Sequence, residues 1–137
     1  MRFVLAAAGA AAIAAALSLS SSIPIVAAQS ADNPAFYTQK VRPILLTNCG
    51  KCHFNMNHKG GLAMDNKALL MKGGRDGVVV VPGNPDKSLL IRLMKHQGPP
   101  NSPKPMPPKA PKMSDADIAV VEQWIKAGAV MPNEPKR

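Results

Sequence analysis

Cys49-Gly50-Lys51-Cys52-His53 is the stretch that most constrains what this chain can fold into. Two thiols three residues apart, followed at once by an imidazole, is the spacing by which a polypeptide is attached covalently to haem. The thiols add across the two porphyrin vinyl groups as thioethers, and the adjoining His is placed to bind the iron from the proximal face. The chain holds only two Cys and three His, so this one motif uses both thiols.

Three other chemistries use parts of the same pattern. A Cys-x-x-Cys redox pair of the thioredoxin kind wants a βαβ context that the sequence lacks. A structural zinc site needs four ligands, and His58 and His96 do not supply a second pair at short spacing. A disulfide between Cys49 and Cys52 suits an oxidising compartment but leaves His53 without a role.

The N-terminus indicates where this chemistry takes place. Arg2 is followed by no charged residue until Asp32, with an Ala/Leu/Ile-rich run from Phe3 to about Leu19 and then Val26-Ala27-Ala28 before Gln29. That order is a secretory signal peptide with a small-residue cleavage site, expected over residues 1–28. The alternative is an uncleaved membrane anchor, since the uncharged stretch reaches the roughly 20 residues of a spanning helix. Pro24 and the Ser20-Ser21-Ser22 cluster weaken it as a helix. Both readings put the domain outside the cytoplasm, periplasmic or on the outer face of the membrane.

What remains is a linker over 29–34, one small domain over 35–132 and a tail over 133–137, marginal for a large core unless a bound group enlarges it. The formal charge of the whole chain is +9. The Lys residues are spread from Lys40 to Lys136, without a clustered basic helix or interleaved aromatics. Nucleic acid is therefore a poor partner, and an acidic protein surface or an anionic membrane fits better.

Helical signals dominate the mature chain. Asn33-Pro34 is a cap with a first-turn proline, and Phe36, Tyr37, Val41, Ile44 and Leu45 then recur at helical spacing up to the motif. Pro43 inside that pattern is expected to kink or break the helix. Asp65 is placed to cap a short helix through Leu70 that stops at Gly73-Gly74. Val78–Val81 is too short for a sheet strand and reads as an extended buried segment. Asn84-Pro85 repeats the cap-plus-proline device before Leu89, Leu90, Leu93 and Met94, a helix expected to end near His96. Ser114 with Asp117 forms a capping box, and Ile118, Val121, Trp124 and Ile125 face inward before Gly128.

Seven of the fourteen prolines lie between Pro99 and Pro111. So few backbone donors and such fixed φ angles favour an extended strap, and a stiff strap loses little entropy when it holds one side chain over a bound group. Met106 sits in its middle.

The order Val41-Arg42-Pro43-Ile44-Leu45, Cys49-Gly50-Lys51-Cys52-His53, Gly60-Gly61-Leu62, Val81-Pro82-Gly83-Asn84-Pro85, Met106-Pro107-Pro108 and Trp124-Ile125 through Gly128-Ala129 resembles the planctomycete-type branch of class I cytochromes c. The resemblance implies an all-α fold, helices packed around one covalent haem c with the first and last crossing. It also implies iron held by His53 on the proximal side and Met106 on the distal side. Members of that branch often occur as modules fused to larger proteins, and this chain reads as the module alone.

Other candidates for the distal ligand remain among the residues themselves. Met64, Met71, Met94 and Met131 suit ordinary packing roles. Met113 precedes the Ser114 cap and can staple against Ile118. Met56 and His58 follow His53 too closely to reach the opposite face, while His96 would give bis-His ligation and a lower potential. The function expected is an exported monohaem carrier that moves single electrons between redox proteins, not an enzyme, docking through its basic surface. The alternatives are a haem enzyme or sensor with a labile distal ligand, and a permanent electron-transfer subunit of a dehydrogenase or oxidase.

Overall fold

The computed structural model describes residues 30–98 and 104–133. The proposed signal peptide with its cleavage site, the first third of the proline strap and the last four tail residues lie outside the described residues. Within them the chain is helical and contains no β-strand, as expected for an all-α domain.

The first helical segment begins where the sequence directs it. Asn33 is extended, and its side-chain oxygen accepts the Ala35 N–H at 2.9 Å, capping α1 (Pro34–Phe36). The chain then passes through a π turn, Tyr37–Val41, directly into α2 (Arg42–His53). Pro43 therefore does not break the helix. It falls in the first turn of α2 and follows a wide turn in which the Arg42 N–H reaches back five residues to the Tyr37 carbonyl. Proline costs a mid-helix bond and its ring collides with the carbonyl four residues back, and a π turn makes room for both.

The π turn also sets the inward face. Tyr37, Val41, Leu45, Cys49 and His53 are all buried, one at every fourth position. A regular α-helix rotates such a series by about 40° per step. The wider turn at the start takes up part of that drift, so one stripe stays directed at the core from Tyr37 to His53.

Beyond His53 the chain makes a loop, a single 3-10 turn at Lys59–Gly61 and then α3 (Lys67–Lys72). The cap of α3 is Asn66, whose side chain accepts the Leu69 N–H at 2.9 Å. Asp65 does not cap it. The helix closes at Gly73, where a positive φ of 76° and the Gly77 carbonyl, lying where a Cβ would be, leave no room for a side chain. In the extended segment that follows, Val79 and Val80 are buried while Val78 is 54 % exposed.

The Asn84-Pro85 pair builds a turn rather than the start of a helix: the Asn84 side chain accepts the Lys87 N–H at 3.2 Å. α4 (Leu89–Met94) starts only after Ser88. Ser88 is wholly buried, and its hydroxyl accepts the Val81 N–H at 2.9 Å and donates to the Asn84 carbonyl at 2.9 Å. A buried hydroxyl must be paired in this way, and here it ties the turn to the valine segment. α4 stops at Met94, with His96 at a positive φ of 55°.

α5 (Asp115–Lys126) has the expected cap, the Ser114 hydroxyl accepting the Asp117 N–H at 3.1 Å. Its inner side chains Ile118, Val121, Trp124 and Ile125 are buried. The helix packs against the π turn and against α4, so the first and last helical segments meet, and Lys95 pairs with Glu122 at 2.6 Å at the edge of the second contact.

Candidate functional site

His53 closes α2, and its buried ring faces back toward the chain that follows. Its Nδ1 lies 3.2 Å from the Leu62 carbonyl oxygen. A carbonyl only accepts, so the proton sits on Nδ1 and the Nε2 lone pair is left to bind a metal. The Met64 N–H donates to the His53 carbonyl at 2.8 Å, which seats Leu62 opposite the ring.

Two adjoining cavities open beside this imidazole. The outer one, about 120 Å³, carries Lys59, Arg75 and Asp76 toward its rim and Leu62, Val79, Leu89 and Leu93 on its wall. The inner one, about 30 Å³, is lined almost wholly by apolar and thioether groups, among them Cys49, Met64, Leu90, Met94 and Met113. His53, Leu62, Val79, Leu93 and Met106 belong to both. The predicted proximal and distal residues thus line the same space. Met106 is held there by its N–H on the Leu93 carbonyl at 3.3 Å.

The two thiols differ in setting. Cys49 is buried one turn before His53 and lines the inner cavity, while Cys52 is half-buried and lines neither. Burial, with the neighbouring Cys52 adding to it, pushes the Cys49 thiol up to about 11.

Of the rivals for the distal position, His96 lines neither cavity, although its Nε2 is buried without a hydrogen-bond partner among the described residues. His58 is engaged elsewhere, its Nε2 2.9 Å from Asp65 Oδ2. Met56 is 95 % exposed. Met113 is a stronger rival than its sequence position indicates, because it is buried and lines the inner cavity beside Met106.

Sequence reasoning missed two contributors. The Leu62 carbonyl that orients His53 is a backbone group nine residues away, for which no side-chain pattern exists. Asp65 serves the loop after His53 instead of a helix, and the adjacent Asn66, itself a good cap, was the signal that left it free.

A thiol, an imidazole with its proton fixed on Nδ1 and a thioether line one apolar cleft inside a helical domain, a donor set that fits a covalently attached haem. Residues 49–110, a little under half of the chain, match the family model described as Planctomycete cytochrome C. The resemblance read from the motifs is thereby shown over the segment that runs from the first motif Cys through Met106. No curated protein and no solved structure matches the chain.

Proposed function

We propose that this protein is an exported monohaem cytochrome c that carries single electrons between redox proteins. The observation that carries the reading is that His53 and Met106, brought from distant parts of the chain, line both halves of one apolar cleft. Haem c, when bound, supplies a one-electron iron couple. The chain's own residues do the rest. Cys49 and Cys52 would anchor the group by thioethers, His53 would offer Nε2 with its other nitrogen held by Leu62, and Met106 would offer a thioether from the wall of the same cleft.

A Met thioether stabilises the reduced state more than a second imidazole would, which favours a higher potential. Two fixed ligands leave no coordination position for a substrate, which is why a carrier is favoured over a haem enzyme or sensor. Export is supported by the Arg2-led apolar segment and the Val26-Ala27-Ala28 pattern. Docking to an acidic partner is supported by Lys51, Lys59, Lys104 and Lys109, all exposed, with Lys59 at the cleft rim.

Mass measurement of protein made with haem-maturation machinery tests the reading. The haem mass is expected to stay on the polypeptide through denaturation and acid-acetone extraction, and to be lost from Cys49→Ala/Cys52→Ala. Wild-type protein with no added mass overturns it.

A further inference from the structure

We infer that Asp65 is a positioning residue for the proximal ligand, a carboxylate clasp that fixes the Leu62 carbonyl against the His53 ring. The inference rests on the reading of His53 as an axial ligand and adds what holds that ligand in place.

The loop from Asn55 to Gly61 has little burial of its own. Every residue in it is exposed, Met56 to 95 %, and Asn55 takes a left-handed φ of 57°. A segment with so few apolar contacts opens readily unless polar bonds close it. Asp65 supplies two. Its Oδ1 accepts the Asn55 N–H at 2.6 Å, and its Oδ2 takes the His58 Nε2 at 2.9 Å. One carboxylate thereby joins the start and the far side of the loop to the strand of chain that carries Leu62.

Leu62 lies between the bonds that hold it. On one side the Gly61 N–H donates to the His58 carbonyl at 2.8 Å, and on the other the Met64 N–H donates to the His53 carbonyl at 2.8 Å. With Asp65 in place, residues 53–65 form a closed ring of hydrogen bonds whose inward product is the 3.2 Å contact from His53 Nδ1 to Leu62. Outer partners of this kind raise the donor strength of a ligating imidazole and fix its orientation. Loosening the clasp therefore weakens imidazole donation, stabilises the oxidised state less and raises the potential. Charge-assisted bonds to a carboxylate are strong enough for their loss to be felt at this distance.

The experiment uses the haem-bearing protein, wild type against Asp65→Ala, Asp65→Asn and His58→Ala. It reads the reduction potential and the exchange of the His53 ring N–H and the Asn55 and Met64 amides in the reduced state. Asp65→Ala is expected to speed exchange of the ring N–H about tenfold or more and to shift the potential upward. Asp65→Asn, which keeps an acceptor for Asn55, is expected to recover most of both. His58→Ala removes one arm at an exposed position and gives a smaller shift of the same sign, which keeps the inference testable should Asp65→Ala fail to fold. Faster exchange confined to the Asn55 amide, or a potential unchanged or lowered, overturns the clasp. Wild-type haem attachment is measured first: a wild type without haem overturns the cytochrome reading and the clasp with it, whereas a haem-bearing wild type with an indifferent Asp65 overturns the clasp alone.

Discussion

The indole of Trp124 meets the ring of Tyr37 at a centroid distance of 5.4 Å and an angle of 38°, joining α5 to the π turn across the core. Trp124 is completely buried, and its Nε1–H donates to the Val130 carbonyl at 2.8 Å, so it also secures the chain that leaves α5. It lines neither cavity, which separates its structural role from the cleft.

Trp124→Ala is expected to cost roughly 3–5 kcal/mol of stability, as for other large aromatic truncations in a core. Trp124→Phe keeps a ring against Tyr37 and loses the bond to Val130, a smaller loss of about 1 kcal/mol. Denaturant melts check both values. The visible spectrum of folded protein is expected to stay that of wild type, because the cleft wall is untouched.

Met106→Ala is expected to abolish the sulfur-to-iron charge-transfer band of the oxidised protein and to lower the potential. Met113→Ala, which truncates a side chain in the inner cavity beside it, is expected to weaken stability while leaving the band in place. Absorption and redox titration of the two variants decide between them. The opposite pattern assigns the distal position to Met113, and loss of the band from neither variant excludes both thioethers.

Before haem is attached, the thiols are expected to react in order. Cys49, pushed from the usual 9.0 to about 11, is a buried neutral thiol at neutral pH, while Cys52 is partly open to reagent. Burying the neutral thiol stabilises the unattached chain fully below pH 9, and this contribution is lost as pH rises through about 11. Brief alkylation at pH 7.5 followed by tryptic mass mapping checks the order, since cleavage after Lys51 separates the two Cys. Equal labelling of both at that pH contradicts the buried setting of Cys49.

Electron transfer to an acidic partner is expected to slow as salt rises, because the Debye length of about 10 Å at 0.1 M cuts off long-range steering. Reversing Lys104 and Lys109, both exposed, to Glu is expected to lower the second-order rate at low salt and to leave the spectrum unchanged. Stopped-flow mixing with an acidic redox protein measures it. A rate indifferent to salt and to charge reversal means that apolar contact at the cleft governs docking.

The parts of this molecule legible in the sequence are those decided within one turn of backbone. The Asn33 and Ser114 caps, the stop at Gly73 and the inward face of α5 all follow from residues two to four apart. Pro43 misled because the compensation for a proline lies upstream, in a π turn that no residue type announces. Asp65 misled because its partners, Asn55 and His58, lie seven to ten residues back across a loop. Asn84 and Ser88 show the same limit. Whether an Asn ends a loop or begins a helix depended on a buried hydroxyl bonded to Val81. At the site, the motif could be read from the chain and Met106, expected at the site, lines the same cleft as His53, whereas the contact of His53 with Leu62 is to a backbone carbonyl and belongs to no side-chain pattern.

Length, more than residue identity, governs the segment ahead of the motif. The turn at Tyr37–Val41 stands between the core contact of Tyr37 and the Cys-x-x-Cys-His residues at the other end of the same helical run. Exchanging one exposed side chain there for another leaves the orientation of Cys49 and His53 alone. Deleting a single residue swings everything downstream about 100° around the axis. The phase of the helix is thus an inherited setting, carried from a tyrosine in the core to a thiol and an imidazole more than three turns away.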